Sequence, residues 1–191
     1  MIANLQDSQK MTAEEYLKWE ATQEMRHEYV DGDIVAMTGG SIPHTKIYLN
    51  LYRSLYPHLG HRGCESYVSD VKVQASKNSR YFYPDLVVTC DPEDLKSREF
   101  IQNPKVIVEV LSPSTANYDR IEKFKYYRQI PSLQEYVLID SESMSVEVYQ
   151  RGEGKMWRYY EYTNGDAIAL QSIEFECPIE LLYEGISFDQ E

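Results

Sequence analysis

The spacing of hydrophobic residues along the chain predicts both helices and strands. Ile47, Leu51 and Leu55 recur every four residues, as on one face of a helix, and this helix is expected to begin near Pro43 and to end near Gly60. Elsewhere, hydrophobic residues alternate with polar ones or form short unbroken runs, which is typical of strands. Strands are therefore predicted over Tyr67–Ala75, Tyr81–Cys90, Lys105–Leu111 and Leu133–Ile139.

Local signals predict the N-terminal elements. Thr12 and Glu15 have the spacing of a capping box, so a short helix is expected to start near Ala13. The dipeptide Asp31-Gly32 lies between two alternating runs. Because it readily adopts the positive φ angles of a tight turn, it predicts a β-hairpin.

The segment Lys105–Leu111 is expected to form an interior strand of the sheet. It is mainly hydrophobic on both strand faces, as in an interior strand that is covered on each side. A helix over Tyr118–Gln129 separates it from the strand Leu133–Ile139, and this order predicts a crossover connection. The residues 145–175 are expected to form an antiparallel β region, and a short helix follows over Ile179–Tyr183.

Length and composition indicate one globular domain over residues 1–191, of the α/β or α+β class, with a mixed β-sheet flanked by helices. Hydrophobic residues make up 42% of the chain and charged residues 26%. The net charge of −12 argues against a protein that coats nucleic acid or anionic lipid by bulk attraction. This acidity belongs to the two ends, because residues 1–33 carry −5, residues 34–140 carry +1 and residues 141–191 carry −8.

Cysteine usage and hydropathy bear on the location of the protein. The three cysteines are odd in number, lie far apart and form no Cys-x-x-Cys pair, so neither a disulfide framework nor a redox motif is expected. His58, His61 and Cys64 lack the fourth ligand of a structural zinc site. The N-terminus has no apolar signal region, and no segment approaches the length of a membrane span. A cytoplasmic protein without membrane contact is therefore expected.

Two carboxylates interrupt strands where hydrophobic residues are expected. They are Asp85, which follows Pro84, and Glu109, which lies between two valines. A buried carboxylate has to be paired, protonated or bound to a cation. If the two strands lie side by side, the pair forms a hard-cation site that suits Mg²⁺. A buried salt bridge or a carboxylate that faces solvent is an equally good interpretation.

A lysine on the following helix is a candidate partner for these carboxylates. Asp119, Lys123 and Tyr127 follow each other at four-residue intervals and form one stripe beside the hydrophobic face. The helix follows the strand of Glu109, so Lys123 can reach back and place an ammonium near a bound anion. The alternative is an exposed lysine that pairs only with Asp119.

Together these segments resemble the Uma-type restriction endonucleases, bacterial members of the PD-(D/E)XK nuclease superfamily. The resemblance covers nearly the whole chain and depends on the motifs as a set. These are Pro-Asp at 84–85, the strand with Glu109, Leu-Ser-Pro-Ser-Thr at 111–115, Tyr-Asp-x-x-x-Lys-x-x-x-Tyr at 118–127 and Pro-Ser-Leu-Gln-Glu-Tyr-Val-Leu-Ile-Asp at 131–140. The superfamily pattern Glu-x-Lys would place a lysine at position 111, where this chain has Leu111. In the Uma-type group a lysine of the following helix takes that role, which corresponds to Lys123.

The resemblance implies a restriction-endonuclease-like core with a metal-dependent phosphodiesterase site. Asp85, Glu109 and the carbonyl of Val110 would hold Mg²⁺, with Mn²⁺ as a substitute, and Lys123 would orient water or stabilise the phosphate. Further candidates form a second group: Glu28, His44, Asp70 and Tyr127. For Glu28 an edge strand facing water is the favoured interpretation. His44, in the first turn of a helix, either contacts phosphate or caps the helix locally.

The expected function is Mg²⁺-dependent hydrolysis of DNA by an endonuclease that contacts DNA transiently at one local face. A homodimer is expected by analogy, since two related sites cut two strands. The main alternative is a catalytically inactive protein of the nuclease fold that acts as a binding or regulatory partner. A hydrolase of small phosphorylated or nucleotide substrates is a third possibility.

Overall fold

The computed structural model describes residues 10–37, 39–77 and 79–188. Its helices are α1 (Ala13–Glu20), α2 (Ile42–Leu59), a π-helix (Tyr118–Lys123) and α3 (Phe124–Tyr127). Its strands are β1 (His27–Val30), β2 (Asp33–Ala36), β3 (Glu65–Val68), β4 (Lys72–Ser76), β5 (Arg80–Phe82), β6 (Leu86–Thr89), β7 (Phe100–Ile101), β8 (Pro104–Leu111), β9 (Glu135–Asp140), β10 (Ser145–Arg151), β11 (Trp157–Thr163), β12 (Ala167–Leu170) and β13 (Phe175–Pro178).

These strands form two large sheets and one small one. The six-stranded sheet has the order β11-β10-β9-β8-β6-β3, the five-stranded sheet has the order β2-β1-β5-β4-β7, and β12 pairs with β13. Helix α2 packs on one face of the six-stranded sheet, and the residues of α3 pack with the opposite face. The mixed α+β class is therefore confirmed.

Strand β8 is an interior strand of the six-stranded sheet, as predicted. It pairs antiparallel with β6 and parallel with β9, so the predicted crossover between β8 and β9 is confirmed. Val106, Val108 and Val110 pack in the hydrophobic cluster of α2. Ile107 and Leu111 pack in the cluster on the other face. Both faces of β8 are thus buried, and a charged residue on this strand has little access to water.

The N-terminal predictions are also confirmed. Thr12 and Glu15 form a complete capping box at the start of α1. In the β1–β2 hairpin, Asp31 and Gly32 have φ angles of 52° and 99°, as a tight turn requires. The absence of a leader was predicted partly from residues 1–9, which lie outside the described residues. Within the described part of the chain, no helix is long and apolar enough to cross a bilayer.

Two predicted strands are each divided in the structure. The segment predicted as Tyr67–Ala75 forms β3 and β4, which are separated by a turn in which Ser69 has a φ of 56°. The segment predicted as Tyr81–Cys90 forms β5 and β6. In both cases the two halves belong to different sheets. The alternating pattern continues across each break because both halves have one face towards the core.

The predicted helix over Tyr118–Gln129 is wound differently. Its first six residues form the π-helix, and α3 adds only one further turn, which ends at Tyr127. Both Asp119 and Lys123 of the π-helix are buried. The short helix predicted over Ile179–Tyr183 is a 3₁₀ turn over Ile179–Leu181.

The prediction that the cysteines form no disulfide is wrong. Cys64 and Cys90 are joined by a disulfide. They lie next to the paired residues Glu65 of β3 and Thr89 of β6, so strand pairing brings together two cysteines that are distant in sequence. Cys177 is free and buried. Because Cys64 is in the disulfide and His58 donates to the carbonyl of Ile173, the histidine and cysteine spacing forms no zinc site.

Candidate active site

Asp85 and Glu109 lie opposite each other on neighbouring strands. The register of β6 and β8 pairs Leu86 with Val108, which places Asp85, directly before β6, opposite Glu109. The backbone N–H of Val110 donates to Oδ2 of Asp85 at 2.7 Å. Glu109 is only 4% exposed. The two carboxylates that the hydrophobic pattern singled out are therefore brought together at one end of the sheet.

Lys123 reaches this pair from the π-helix. Its Nζ lies 3.1 Å from Oε1 of Glu109, and the hydroxyl of Tyr127 donates to the same oxygen at 3.2 Å. The side chain of Lys123 is 9% exposed. The alternative of an exposed helix lysine is therefore wrong, and Tyr127, a candidate of the second group, belongs to the site.

Glu28 also contacts Lys123, which corrects the expectation that it faces water on an edge strand. Strand β1 lies between β2 and β5, and the side chain of Glu28 is buried. Its Oε1 is 3.1 Å from Nζ of Lys123 and accepts a hydrogen bond from the backbone N–H of Tyr83 at 3.3 Å. The sequence could not indicate this contact, because Glu28 and Lys123 come from elements that are far apart along the chain.

Asp119 is a site residue that sequence reasoning did not name as a candidate. Its Oδ1 lies 3.4 Å from Nζ of Lys123, one helical step along the same stripe. Its side chain is buried, and the hydroxyl of Tyr136 donates to its backbone carbonyl at 3.0 Å. The signal is present in the four-residue spacing from Lys123, which places Asp119 on the same stripe beside the hydrophobic face.

His44 lies on the other side of Asp85. Ser41 caps α2, and in the first turn of this helix Nε2 of His44 is 3.2 Å from Oδ2 of Asp85. Burial lowers the pKa of the imidazole, but the hydrogen bond and the charge of Asp85 outweigh this effect and raise the pKa above its usual value. His44 therefore contacts a candidate cation ligand, an arrangement that neither of its two predicted roles included.

Asp70 is not part of the site. Its side chain is 72% exposed and forms an ion pair with Arg26, in which Nε and Oδ1 are 3.3 Å apart. Of the seven candidate side chains, Asp70 alone is left out of this group of contacts in the described residues. Lys125 lies outside this group as well and pairs with Glu122 on the surface.

The charges of the site do not balance. Four carboxylates (Asp85, Glu109, Glu28 and Asp119) face one lysine and one histidine. Burial raises the pKa of Glu109 well above its usual value; Lys123 opposes this rise, and the other three carboxylates add to it. Burial alone would lower the pKa of Lys123, but Glu109 and Glu28 raise it well above its usual value. The ammonium therefore stays charged, and the excess negative charge favours a proton or a cation.

The donor set fits a hard divalent cation. In the contacts of the described residues, protein donors engage Oδ2 of Asp85 and Oε1 of Glu109, and no protein donor reaches the other oxygen of either carboxylate. No group of three or more acidic, histidine or cysteine side chains in those residues has the spacing of a complete protein-ligated metal site. Two carboxylates and a carbonyl suit Mg²⁺, which commonly keeps several water ligands.

The mixed sheets and the few helices form a restriction-endonuclease-like nuclease fold. The chain belongs to the Uma2 family, described as "Putative restriction endonuclease", whose model matches residues 13–180. Two proteins of Synechocystis sp. (strain ATCC 27184 / PCC 6803 / Kazusa) are similar to it. The uncharacterized protein slr1290 is 42% identical over 94% of each chain, and the uncharacterized protein sll1609 is 37% identical over 82% of this chain and 90% of that one.

A solved structure shows the same fold. It is the crystal structure of a "putative nuclease belonging to DUF820" from Anabaena variabilis ATCC 29413. The two structures superpose with a TM-score of 0.75, over 91% of this chain and 98% of the other, at 17% sequence identity. The expected family and the restriction-endonuclease-like fold are thus both confirmed.

Proposed function

We propose that this protein is a divalent-cation-dependent endonuclease that hydrolyses phosphodiester bonds of DNA. The observation that carries the proposal is the contact of Lys123 with Glu109 at 3.1 Å, beside Asp85 on the neighbouring strand. Paired carboxylates and a lysine are the groups that cation-assisted phosphoryl transfer requires. Membership of the Uma2 family supports the same reaction class.

Asp85, Glu109 and the carbonyl of Val110 would hold the cation, with Mg²⁺ as its natural form and Mn²⁺ as a substitute. A divalent cation at this position lowers the pKa of a water molecule and neutralises charge that develops on the phosphate. Lys123 would orient the attacking water or stabilise the phosphate. His44 and the N–H of Val110 fix one oxygen of Asp85, which directs the other oxygen away from the protein donors.

The position of Lys123 supports activity despite the missing lysine at 111. Leu111 is buried in the hydrophobic cluster on the α3 face of the sheet, where a lysine would lose its hydration. Lys123 supplies an ammonium to Glu109 from the π-helix instead. An inactive protein of this fold would have no need to keep a buried lysine among several carboxylates, since such an arrangement contributes little to stability.

The partners and location are part of the same proposal. DNA would bind transiently at the local face around Lys123, because the overall charge of −12 opposes broad contact. Two copies would form a homodimer that brings one site to each strand of the DNA. Light scattering of the purified protein gives its molar mass and tests this oligomeric state. A cytoplasmic location would expose the bond between Cys64 and Cys90 to a reducing environment.

A cleavage assay tests the reaction. Supercoiled and single-stranded DNA are incubated with the wild type, Asp85→Asn, Glu109→Gln and Lys123→Met, with Mg²⁺, Mn²⁺ or a chelator. Wild-type cleavage should require the cation, and each substitution should reduce the rate by about 100-fold or more, as expected for a group that stabilises developing charge. Asp70→Asn removes an exposed carboxylate outside the site and should cleave like the wild type.

Two outcomes contradict the proposal. Cleavage that survives in Asp85→Asn would show that another site or another protein is responsible. Binding of DNA without cleavage by the wild type would instead favour a nuclease fold that acts as a binding partner.

A further inference from the structure

Three carboxylates surround the ammonium of Lys123. Glu28, Glu109 and Asp119 lie 3.1, 3.1 and 3.4 Å from Nζ, and we call these three residues the lysine cradle. The side chain of each is at most 8% exposed. They come from three elements, since Glu28 is in the five-stranded sheet, Glu109 is in the six-stranded sheet and Asp119 is in the π-helix.

Glu109 has two tasks that conflict. In the structure it pairs with Lys123, and in the proposed reaction it also holds a divalent cation. Two positive charges on one buried carboxylate repel each other strongly where little water screens them. If Glu109 were the only partner of Lys123, the bound cation would displace the ammonium from the site.

The other two members of the cradle can keep Lys123 in place. Oε1 of Glu28 is fixed by the backbone N–H of Tyr83 as well as by Lys123. Asp119 is on the same π-helix as Lys123, and Tyr136 holds its backbone carbonyl. Both residues are therefore held by contacts that do not involve Glu109.

We propose that Glu28 and Asp119 are positioning residues that retain the ammonium of Lys123 beside Glu109 while a divalent cation is bound there. This inference rests on the proposed function. It gives Glu28 a role through Lys123 and not as a direct cation ligand, and it explains why one lysine is surrounded by more carboxylates than it can neutralise.

The test measures the accessibility of Lys123 directly. The wild type and the variants Glu28→Gln, Glu28→Asp, Asp119→Asn and Asp85→Asn are treated briefly with an acylating reagent at one pH, with and without Mn²⁺. The modified lysines are then quantified by peptide mass spectrometry. Lys125 is exposed and only two residues away, so it is the internal reference. Calorimetry on the same samples gives the affinity for Mn²⁺, and circular dichroism checks that each variant is folded.

Wild-type Lys123 should stay protected in both conditions. In Glu28→Gln, Mn²⁺ should raise the labelling of Lys123 relative to Lys125 by about tenfold, as expected when a charged partner is lost. Glu28→Asp keeps the charge and should restore most of the protection. Asp119→Asn should show the same effect as Glu28→Gln to a smaller degree, and it decides the matter if Glu28→Gln does not fold.

Two results would overturn the inference while leaving the proposed function intact. One is labelling of Lys123 that stays as low in Glu28→Gln and Asp119→Asn as in the wild type when Mn²⁺ is bound. The other is a loss of Mn²⁺ affinity in Glu28→Gln as large as that in Asp85→Asn, which would make Glu28 a direct ligand. A wild type that binds no Mn²⁺ would contradict the proposed function itself, and with it the inference.

Discussion

At the scale of single residues, Glu109 is the side chain whose environment is hardest to reconcile with stability. It is on the central strand β8, with both faces of that strand covered, and three other carboxylates lie near it. Lys123 and Tyr127 hydrogen-bond only one of its oxygens. An ionised carboxylate in this position lowers the stability of the fold, so its presence is better explained by chemistry than by packing.

Glu109→Gln should therefore stabilise the protein by about 1–3 kcal/mol at neutral pH, because it removes a charge that is buried beside like charges. The pKa of Glu109 is raised in the folded state, so folding favours its protonated form. The wild type loses stability as the pH rises from the usual carboxyl pKa through the raised value. The gain in the free energy of unfolding from Glu109→Gln should thus be small near pH 4 and largest above the raised pKa of Glu109. Urea unfolding at several pH values measures it.

Lys123→Met is the matched control and should have the opposite sign. It leaves three buried carboxylates without their counter-ion. Breaking a buried ion pair in this way should lower the free energy of unfolding by about 3–5 kcal/mol. If Glu109→Gln were less stable than the wild type at pH 8, the ion pair with Lys123 would contribute more to stability than the burial of Glu109 costs, and our assignment of the charge balance would be wrong.

The residues that sequence analysis identified have a common property. Asp85 and Glu109 are charged residues in hydrophobic runs, and such an anomaly is visible without any knowledge of the fold. Glu28 lies in a short strand with no comparable anomaly, and its burial depends on which strands become its neighbours. The stripe of Asp119, Lys123 and Tyr127 left a surface pair of Asp119 with Lys123 open as the alternative, since a four-residue spacing is the same on a buried and an exposed face.

At the scale of elements, the sequence best predicts the helix caps and turns that are determined by residues close together along the chain. The capping box of α1 and the turn at Asp31-Gly32 are determined within a few residues. The breaks between β3 and β4 and between β5 and β6 were missed, because an alternating pattern does not show which sheet a strand joins. The π-helix was missed for a related reason, since its hydrophobic spacing over six residues resembles that of an α-helix.

The cap of α1 provides a prediction at this scale. The hydroxyl of Thr12 accepts from the N–H of Glu15 at 3.3 Å, and Thr12→Ala should lower the free energy of unfolding by about 1 kcal/mol. Helix α1 covers a cluster that includes Tyr16 and Tyr29, and none of the side chains of the candidate site belongs to this cluster. Nuclease activity well below the unfolding temperature should therefore be unchanged.

Thr22→Ala is the control for this change. Thr22 lies in an exposed position beyond the end of α1, and its hydroxyl donates to the carbonyl of Trp19. The same substitution there should lower the free energy of unfolding by less than about 0.5 kcal/mol. Chemical denaturation of both variants gives the comparison. Equal losses in the two variants would show that the capping box does not stabilise α1.

At the scale of the whole molecule, the candidate site joins parts of the fold that are otherwise distinct. Lys123 links Glu28 of the five-stranded sheet to Glu109 of the six-stranded sheet. The site carries excess negative charge within a protein of net charge −12, so a phosphodiester would be repelled without a cation. The acidity that argued against broad contact with nucleic acid is thus compatible with cation-assisted contact at one place.

The disulfide acts on this same scale, because it closes a loop that contains two connections between the two sheets, β3 to β4 and β5 to β6. Cys64 and Cys90 are 26 residues apart, and the segment between them includes β3 to β6 and Asp85. Loop-closure entropy for this length corresponds to about 3.5 kcal/mol of stability. In a protein of this size that is a shift of about 7–14 °C in unfolding temperature.

A reducing agent should therefore lower the unfolding temperature of the wild type, as scanning calorimetry with and without dithiothreitol would show. The variant with both Cys64→Ala and Cys90→Ala should unfold near the temperature of the reduced wild type and should not respond to the reductant. Cys177 is a free cysteine that remains in the double variant, so any effect of the reductant on Cys177 would appear in both proteins. If thiol titration shows complete reduction and the unfolding temperature is unchanged, strand pairing alone holds β3 against β6, and the disulfide adds no stability to this pairing.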